Sequence, residues 1–142
     1  MHNRDFLENL VELVRQQLPI ELKDFQISGP TMNLVKFHYG SPKTHYEVWI
    51  QKRKREAEVG LHFEGEPEEN HDKLLMLSKK WDFISGALGR EVAGESWGKG
   101  WTRIHETVIL EQLNDDLLVE LSLKLSGMIR TLEPLLRDPE RL

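Results

Sequence analysis

Residues Asn33–Glu64 read NLVKFHYGSPKTHYEVWIQKRKREAEVGLHFE, and the architecture of the whole chain follows from this stretch. Apolar and polar residues alternate along it in three runs. The apolar members are Val35, Phe37 and Tyr39, then Tyr46, Val48 and Ile50, then Ala57, Val59, Leu61 and Phe63. Strict alternation is typical of an antiparallel sheet that packs one face on a core and leaves the other face polar. We therefore predict two consecutive β-hairpins that share their middle strand.

The second hairpin is expected to turn around Arg53 and Lys54, because that turn places its two apolar sets on one face. The predicted apolar pairs are Ile50 with Ala57, Val48 with Val59 and Tyr46 with Leu61. The predicted polar pairs are His45 with His62, Glu47 with Gly60 and Trp49 with Glu58. Facing side chains in such ladders have Cβ atoms about 4.5–5.5 Å apart.

The first hairpin is expected to turn at Gly40-Ser41-Pro42-Lys43. The pairs predicted for it are Phe37 with Val48, Val35 with Ile50, Lys36 with Trp49 and His38 with Glu47. With both registers applied, the polar face should bring together His38, His45, Glu47 and His62.

This predicted cluster has the side chains that zinc and other divalent metals prefer, which are imidazole nitrogens and a carboxylate. A metal held there would favour a metal-dependent hydrolase or a nuclease-like enzyme working on the open sheet face. The short spacing His-Glu-x-x-His of zinc proteases is absent. The alternative is a polar face, rich in histidine, that meets solvent or a partner.

The remaining segments predict three helices and two further strands. The helices are expected from Asn3 to Pro19, from about Pro67 to a stop at Gly89, and from Asn114 to just before Pro134. The strands are expected at Phe25–Ile27 and at Thr102–Leu110, with residues 94–101 as a loop rich in glycine. The predicted fold is a single α+β domain over residues 1–142, with a mostly antiparallel sheet of about five strands and three helices in the order α-β-β-β-β-α-β-α.

Composition narrows the class of protein. The chain has 142 residues, a formal net charge of -5 and no cysteine. The absence of cysteine excludes disulfides and cysteine-based zinc sites. No signal peptide and no apolar run long enough for a membrane span is evident, so a cytoplasmic protein without a membrane partner is expected. The acidic balance argues against a dedicated nucleic-acid binder.

Two surfaces are candidates for binding a partner. One is the sheet face with Lys36 and Trp49, extended by the basic turn Lys52-Arg53-Lys54-Arg55, where a protein partner could bind. Contact of that turn with nucleic-acid phosphates is a third hypothesis. The other surface is the last helix, where leucines around most of the girth predict a homo-oligomer.

From Leu74 onward the order of features resembles a domain of unknown function that is found in bacteria attached to restriction-endonuclease-like nucleases. The features are a helix with Trp81, Ile84, Leu88 and Gly89, then Trp97, then Arg103-Ile104 on a strand, then a long closing helix. The resemblance implies an accessory or binding role. No set of acid, base and nucleophile is evident either, since Gly94-Glu95-Ser96-Trp97-Gly98 lacks the strand and helix that surround a nucleophile elbow. A non-catalytic binding or assembly module, without a cofactor, is therefore the leading prediction.

Overall fold

The computed structural model describes residues 1–140 and contains one six-stranded antiparallel sheet with four α-helices. The elements are α1 (Asn3–Gln17), β1 (Gln26–Thr31), β2 (Leu34–His38), β3 (Thr44–Gln51), β4 (Glu56–Phe63), α2 (Pro67–Ser78), α3 (Trp81–Leu88), β5 (Ala93–Trp97), β6 (Trp101–Ile109) and α4 (Asp115–Arg137). The order in the sheet is β1-β2-β3-β4-β6-β5. The predicted α+β class with an antiparallel sheet is confirmed, whereas the expected counts of five strands and three helices are wrong.

The additional helix arises because the helix predicted between Pro67 and Gly89 is interrupted. Lys80 leaves the helical conformation, with φ of -108° and ψ of 20°, and a new helix starts at Trp81. The two halves pack on different elements: α2 contacts β5 and β6, whereas α3 contacts α4. Apolar spacing continues across the interruption, so periodicity alone does not reveal it.

The additional strand is β5, which lies in the segment predicted to be a loop. It pairs with β6 through a tight turn in which Gly98 and Gly100 have φ of +58° and +84°. Positive φ is accessible to glycine at little cost, so the glycines of this segment form a hairpin turn and not a long loop. Ser96 lies within β5, which agrees with the absence of a nucleophile elbow there.

The predicted register of the β3–β4 hairpin is confirmed in every pair named above. The register predicted for the β2–β3 hairpin is wrong by two residues. In the structure Phe37 faces Tyr46, Lys36 faces Glu47, and Trp49 faces Leu34. A turn at residues 40–43 is symmetric about Ser41 and Pro42, and that symmetry requires Phe37 to face Tyr46. A shift of two residues keeps every side chain on its own face. The apolar face is therefore as predicted, while the neighbours on the polar face change.

The helices cover the apolar face of the sheet. Helix α4 lies across β3 and β4, where Tyr46 Oη donates a hydrogen bond to Glu133 at 3.0 Å, and α1 packs against α4 and β1. Asn114 caps α4 as expected, since its side chain accepts a hydrogen bond from the backbone N–H of Leu117 at 2.9 Å. The helix continues past Pro134 to Arg137, because Leu132 and Leu135 on either side of the proline are held in the core.

Most of the apolar girth of α4 is covered within one chain, by α1, by α3 and by the sheet. Val119 and Leu123 are the large apolar side chains of this helix that stay exposed. A partner is therefore not needed to cover the helix, and the homo-oligomer stays a prediction. Among residues 1–140 there is no helix with the length and apolar character needed to cross a membrane.

Candidate metal centre

The polar face of the sheet, on the side away from α4, carries a dense group of ionisable side chains. Its members are His45, Glu47, Glu58, His62, Glu64, Glu95, Arg103 and His105. Four of them, which are His45, Glu47, Glu58 and His62, are at most 4% exposed. Burying charged groups is costly unless they are paired or bind an ion. The partners of these side chains therefore indicate what this face can do.

Four of these residues form what we call the His/Glu cluster: His45, Glu47, His62 and Glu64. Each offers a nitrogen or oxygen atom that could bind a metal, and these four atoms all lie within 4.8 Å of one another. His45 Nε2 is 2.9 Å from Glu47 Oε1 and 3.8 Å from Glu64 Oε2. His62 Nε2 is 3.6 Å from Glu47 Oε2, and His62 Nδ1 is 3.3 Å from Glu64 Oε2.

The β3–β4 ladder explains why these four side chains meet. His45 and His62 are direct partners across the strands, and their rings stack with centroids 5.6 Å apart at an interplanar angle of 10°. Glu47 and Glu64 each follow one of these histidines by two positions, which puts all four side chains on the same face. The backbone N–H of Glu64 donates to Lys43 O at 2.7 Å, so the ladder continues past the end of β4.

The sequence-based candidates are brought together only in part. His45, Glu47 and His62 meet as expected, but His38 lies outside the cluster and its Nδ1 is 3.1 Å from Gly40 O. Glu64 joins the cluster and was missed as a ligand. The signal was present in the sequence, because alternation along β4 places Glu64 on the same face as His62.

The hydrogen bonds of His45 determine which of its ring nitrogens faces the cluster. Nδ1 lies 2.9 Å from the carbonyl oxygen of Pro42. A carbonyl oxygen only accepts hydrogen bonds, so Nδ1 carries a proton and donates it. The other nitrogen, Nε2, is directed at Glu47. Nε2 is therefore the nitrogen of His45 that faces the cluster, 2.9 Å from Glu47 Oε1, and the one that could bind a metal.

His62 is oriented by a carboxylate in the same way. Its Nε2 lies 2.7 Å from Glu58 Oε1 and donates to it. Its Nδ1 is buried and has no hydrogen-bond partner within residues 1–140, because Glu64 at 3.3 Å is not in hydrogen-bonding geometry. Buried polar atoms nearly always have a partner. The unpaired nitrogen of His62 lies on the side of the ring that faces Glu64.

Glu58 is in turn held by Arg103. Nη1 of Arg103 is 3.2 Å from Glu58 Oε2, and its Nη2 is 2.6 Å from Glu95 Oε1. The guanidinium lies over the ring of Trp97, 4.6 Å from its centroid, and Trp97 meets His62 edge to face at 5.4 Å. A chain of contacts from Arg103 through Glu58 thus fixes the ring of His62.

These contacts shift the pKa values of the groups that take part. Burial alone would lower the pKa of His62, but the hydrogen bond to Glu58 and the nearby carboxylates of Glu64 and Glu47 raise it to about 9. Burial would raise the pKa of Glu58 and of Glu64, yet the hydrogen bond from His62 to Glu58 and the close approach of His62 to Glu64 hold both pKa values below the usual value. Burial, with the positive charge of Arg103 next, lowers the pKa of His105. Without a metal, the imidazole of His62 is therefore protonated and positively charged at neutral pH.

The residues predicted to form a binding surface are divided between two places. Lys36 faces Glu47 beside the His/Glu cluster. Trp49, Lys52, Arg53 and Lys54 line one cavity of about 590 Å³, at the other end of the sheet. Arg55 closes the β3–β4 turn with φ of +54° and lines a neighbouring cavity that it shares with Lys52.

Comparison with known protein families, with curated proteins and with solved structures finds no match to this chain. The resemblance of residues 74 onward to the nuclease-associated bacterial domain therefore stays a prediction.

Proposed function

We propose that this chain is a non-catalytic binding module whose polar sheet face holds one divalent metal ion, with zinc as the best-fitting ion. The observation that carries this proposal is the His/Glu cluster itself, in which four ligand atoms lie within 4.8 Å of one another. Two imidazoles and two carboxylates are a donor set that zinc binds in proteins. The two carboxylate charges would be balanced by the charge of a divalent ion.

The distances within the cluster support a tetrahedral ion. Zinc–ligand bonds of about 2.0–2.2 Å place tetrahedral ligand atoms about 3.3–3.6 Å apart. The separations that involve the two nitrogens facing the cluster are 2.9 Å from His45 Nε2 to Glu47 Oε1, 3.8 Å from His45 Nε2 to Glu64 Oε2 and 3.3 Å from His62 Nδ1 to Glu64 Oε2. Small side-chain rotations would bring the four atoms to a common distance from an ion.

The outer hydrogen bonds also support a metal centre. Histidines that bind metals usually donate their other ring N–H to a carbonyl or a carboxylate, which fixes the tautomer. His45 donates to the Pro42 carbonyl, and His62 donates to Glu58. The nitrogens left for the ion are Nε2 of His45 and, once it has lost its proton, Nδ1 of His62.

A binding role is favoured over the metal-dependent hydrolase or nuclease that the sequence also suggested. Structural zinc sites have four protein ligands, whereas catalytic sites keep one position open for water or substrate. The cluster offers four protein ligands, and its most exposed side chain, that of Glu64, is only 16% exposed. A protein partner on this face and a homo-oligomer through α4 remain further predictions of the same binding role.

The test is a thermal melt of the metal-stripped chain with and without zinc. At a zinc concentration of 100 times Kd, binding contributes about 2.7 kcal/mol, which should raise the midpoint by roughly 5–15 °C in a chain of this size. Manganese should give a smaller rise, because imidazole-containing sites bind it more weakly than zinc. An unchanged midpoint at millimolar zinc would refute the metal centre.

Glu58→Gln is expected to weaken zinc binding by 10–100-fold, although Glu58 itself is not in the cluster. Losing a partner that orients a metal-bound histidine typically has an effect of this size. Isothermal titration of the metal-stripped variant measures the change. Glu106→Gln is a matched control, since Glu106 is a buried carboxylate paired with Lys124 on the opposite face of the sheet. Equal zinc affinity in Glu58→Gln and the unchanged chain would exclude a role for Glu58 in orienting His62.

A further inference from the structure

The cavity lined by Trp49 and Lys52 lies at the other end of the sheet from the His/Glu cluster, where three parts of the chain meet. The N-terminus of α1, the turn between β1 and β2, and the turn between β3 and β4 enclose about 590 Å³. The side chains that line this cavity include Asn3, Trp49, Lys52, Arg53 and Lys54. Its size is within the range of small-molecule sites.

One side of this cavity carries uncompensated positive charge. Lys52, Arg53 and Lys54 are consecutive residues of a 3₁₀ turn, and among residues 1–140 none of the three takes part in an ion pair. Helix α1 begins at Asn3 without a side-chain cap and with one acidic residue, Asp5, in its first turn, so its unpaired N–H groups also face this region. Together these groups favour an anion, although the chain as a whole is acidic.

The lining of the cavity also includes an aromatic side chain. Trp49 is half-buried and lies on the polar face between Leu34 and Glu58. The carboxylate of Glu58 is already engaged by His62 and Arg103, so its charge is compensated. An indole beside free cations is the combination that stacks a base while the cations bind phosphate.

Asn3 adds an unpaired acceptor beside the cavity, which a rotation of its side chain would bring to a ligand. Oδ1 of Asn3 is buried and has no hydrogen-bond partner in the part of the chain that the structure describes. An amide oxygen can accept from the amino group of a base or from a ribose hydroxyl. Inorganic phosphate at neutral pH offers mainly acceptors and would leave this atom unpaired.

We propose that this cavity binds a nucleotide, with the base stacked on Trp49 and the phosphate held by Lys52, Arg53 and Lys54. The ligand is either a free nucleotide or one unit of a single-stranded nucleic acid, because both offer a base next to a phosphate. The site does not depend on the metal centre, since none of its lining residues belongs to the His/Glu cluster.

The experiment measures binding by fluorescence anisotropy of a labelled strand of twelve thymidines at low salt. The triple variant Lys52→Ala, Arg53→Ala, Lys54→Ala should bind at least tenfold more weakly, and its affinity should depend less steeply on salt. The matched control is Lys79→Ala, Arg90→Ala, Lys99→Ala, which removes three exposed cations outside the cavity and should retain at least half of the affinity. AMP as a competitor distinguishes the two sources of the ligand: displacement at micromolar AMP identifies a free nucleotide, whereas displacement by unlabelled strand alone identifies a single strand.

Trp49 is tested separately with Trp49→Ala and Trp49→Phe, after thermal melts have shown that both variants fold. Binding of the strand should fall at least tenfold with alanine and less with phenylalanine, whose ring still stacks. Three results would overturn the proposal: no binding by the unchanged chain, an equal loss in the two triple variants, or inorganic tripolyphosphate competing as well as nucleotides while Trp49→Ala binds normally. If the alanine and phenylalanine variants both unfold, quenching by AMP of the tryptophan fluorescence of the unchanged chain, compared with quenching in the triple variant, decides the same point.

Discussion

A chain carrying His62→Ala is expected to bind zinc at least 100-fold more weakly than the unchanged chain. The change removes one of the four ligand atoms, and it also removes the group through which Glu58 and Arg103 act on the cluster. At pH 7 the unchanged chain should release a proton when zinc binds, because the pKa of His62 without metal is about 9. Isothermal titration in two buffers with different ionisation enthalpies measures the affinity and the released proton together.

The control for this change is His71→Ala, which removes an exposed histidine of α2 and should leave zinc affinity unchanged. Removing the buried ring of His62 could also loosen the metal-free fold. Glu64→Gln is therefore a useful second variant, because it keeps the size of the side chain and removes a weaker, partly exposed ligand. It should lower zinc affinity by roughly tenfold. Wild-type affinity in His62→Ala would show that the ion, if bound, lies elsewhere.

Gly60→Ala is expected to destabilise the fold by about 1–3 kcal/mol, the usual cost of overpacking. Gly60 lies in the central strand β4, opposite His105 of β6. A Cβ atom at this position would lie 2.7 Å from the Cβ of His105 and 2.9 Å from the backbone oxygen of Ile104. Neither atom belongs to the flexible end of a side chain, so β4 and β6 would have to separate. Denaturation in urea measures the loss.

Gly86→Ala provides the matched control for this change. Gly86 lies on the exposed side of α3, and an added Cβ would meet no atom within 4 Å. Alanine is favoured over glycine inside a helix, so this variant should be neutral or up to about 1 kcal/mol more stable. If both variants were equally stable, the close approach of His105 would have no energetic importance.

The parts of the fold that follow from alternation could be predicted from the sequence. Val48, Val59 and Leu61 have no other consistent arrangement than one apolar face, and the β3–β4 register follows from matching that face. The start of α4 could also be predicted, because Asn114 is a strong capping residue followed by two aspartates.

The parts that could not be predicted depend on contacts beyond the local pattern. The interruption at Lys80 separates a helix that packs on the sheet from one that packs on α4, and the spacing of Leu77 and Ile84 is helical in both cases. The strand β5 needs its neighbour β6 before it can be distinguished from a loop. The break at Lys80 and the strand β5 were not predicted because tertiary packing overrides the local preference of the sequence at both places.

Residues of the candidate site were predicted correctly where the strand register was predicted correctly. His45 and His62 belong to the hairpin whose register was predicted correctly, and they meet. His38 belongs to the hairpin that was two residues out of register, and it lies outside the cluster. The Arg103–Glu58 contact could not be predicted, because it needs the pairing of β4 with β6, which are far apart in the sequence.

The local origin of the His/Glu cluster also bears on how the chain folds. All four side chains come from residues 45–64, which form a single hairpin. Hairpins form in roughly 1–10 μs, and contacts close in sequence are made before distant ones. Pairing of β4 with β6, in contrast, must close a loop that contains α2, α3 and β5. We therefore expect the ligand set to be complete early in folding, and an ion that binds it during synthesis would fix the β3–β4 register before the C-terminal helix is made.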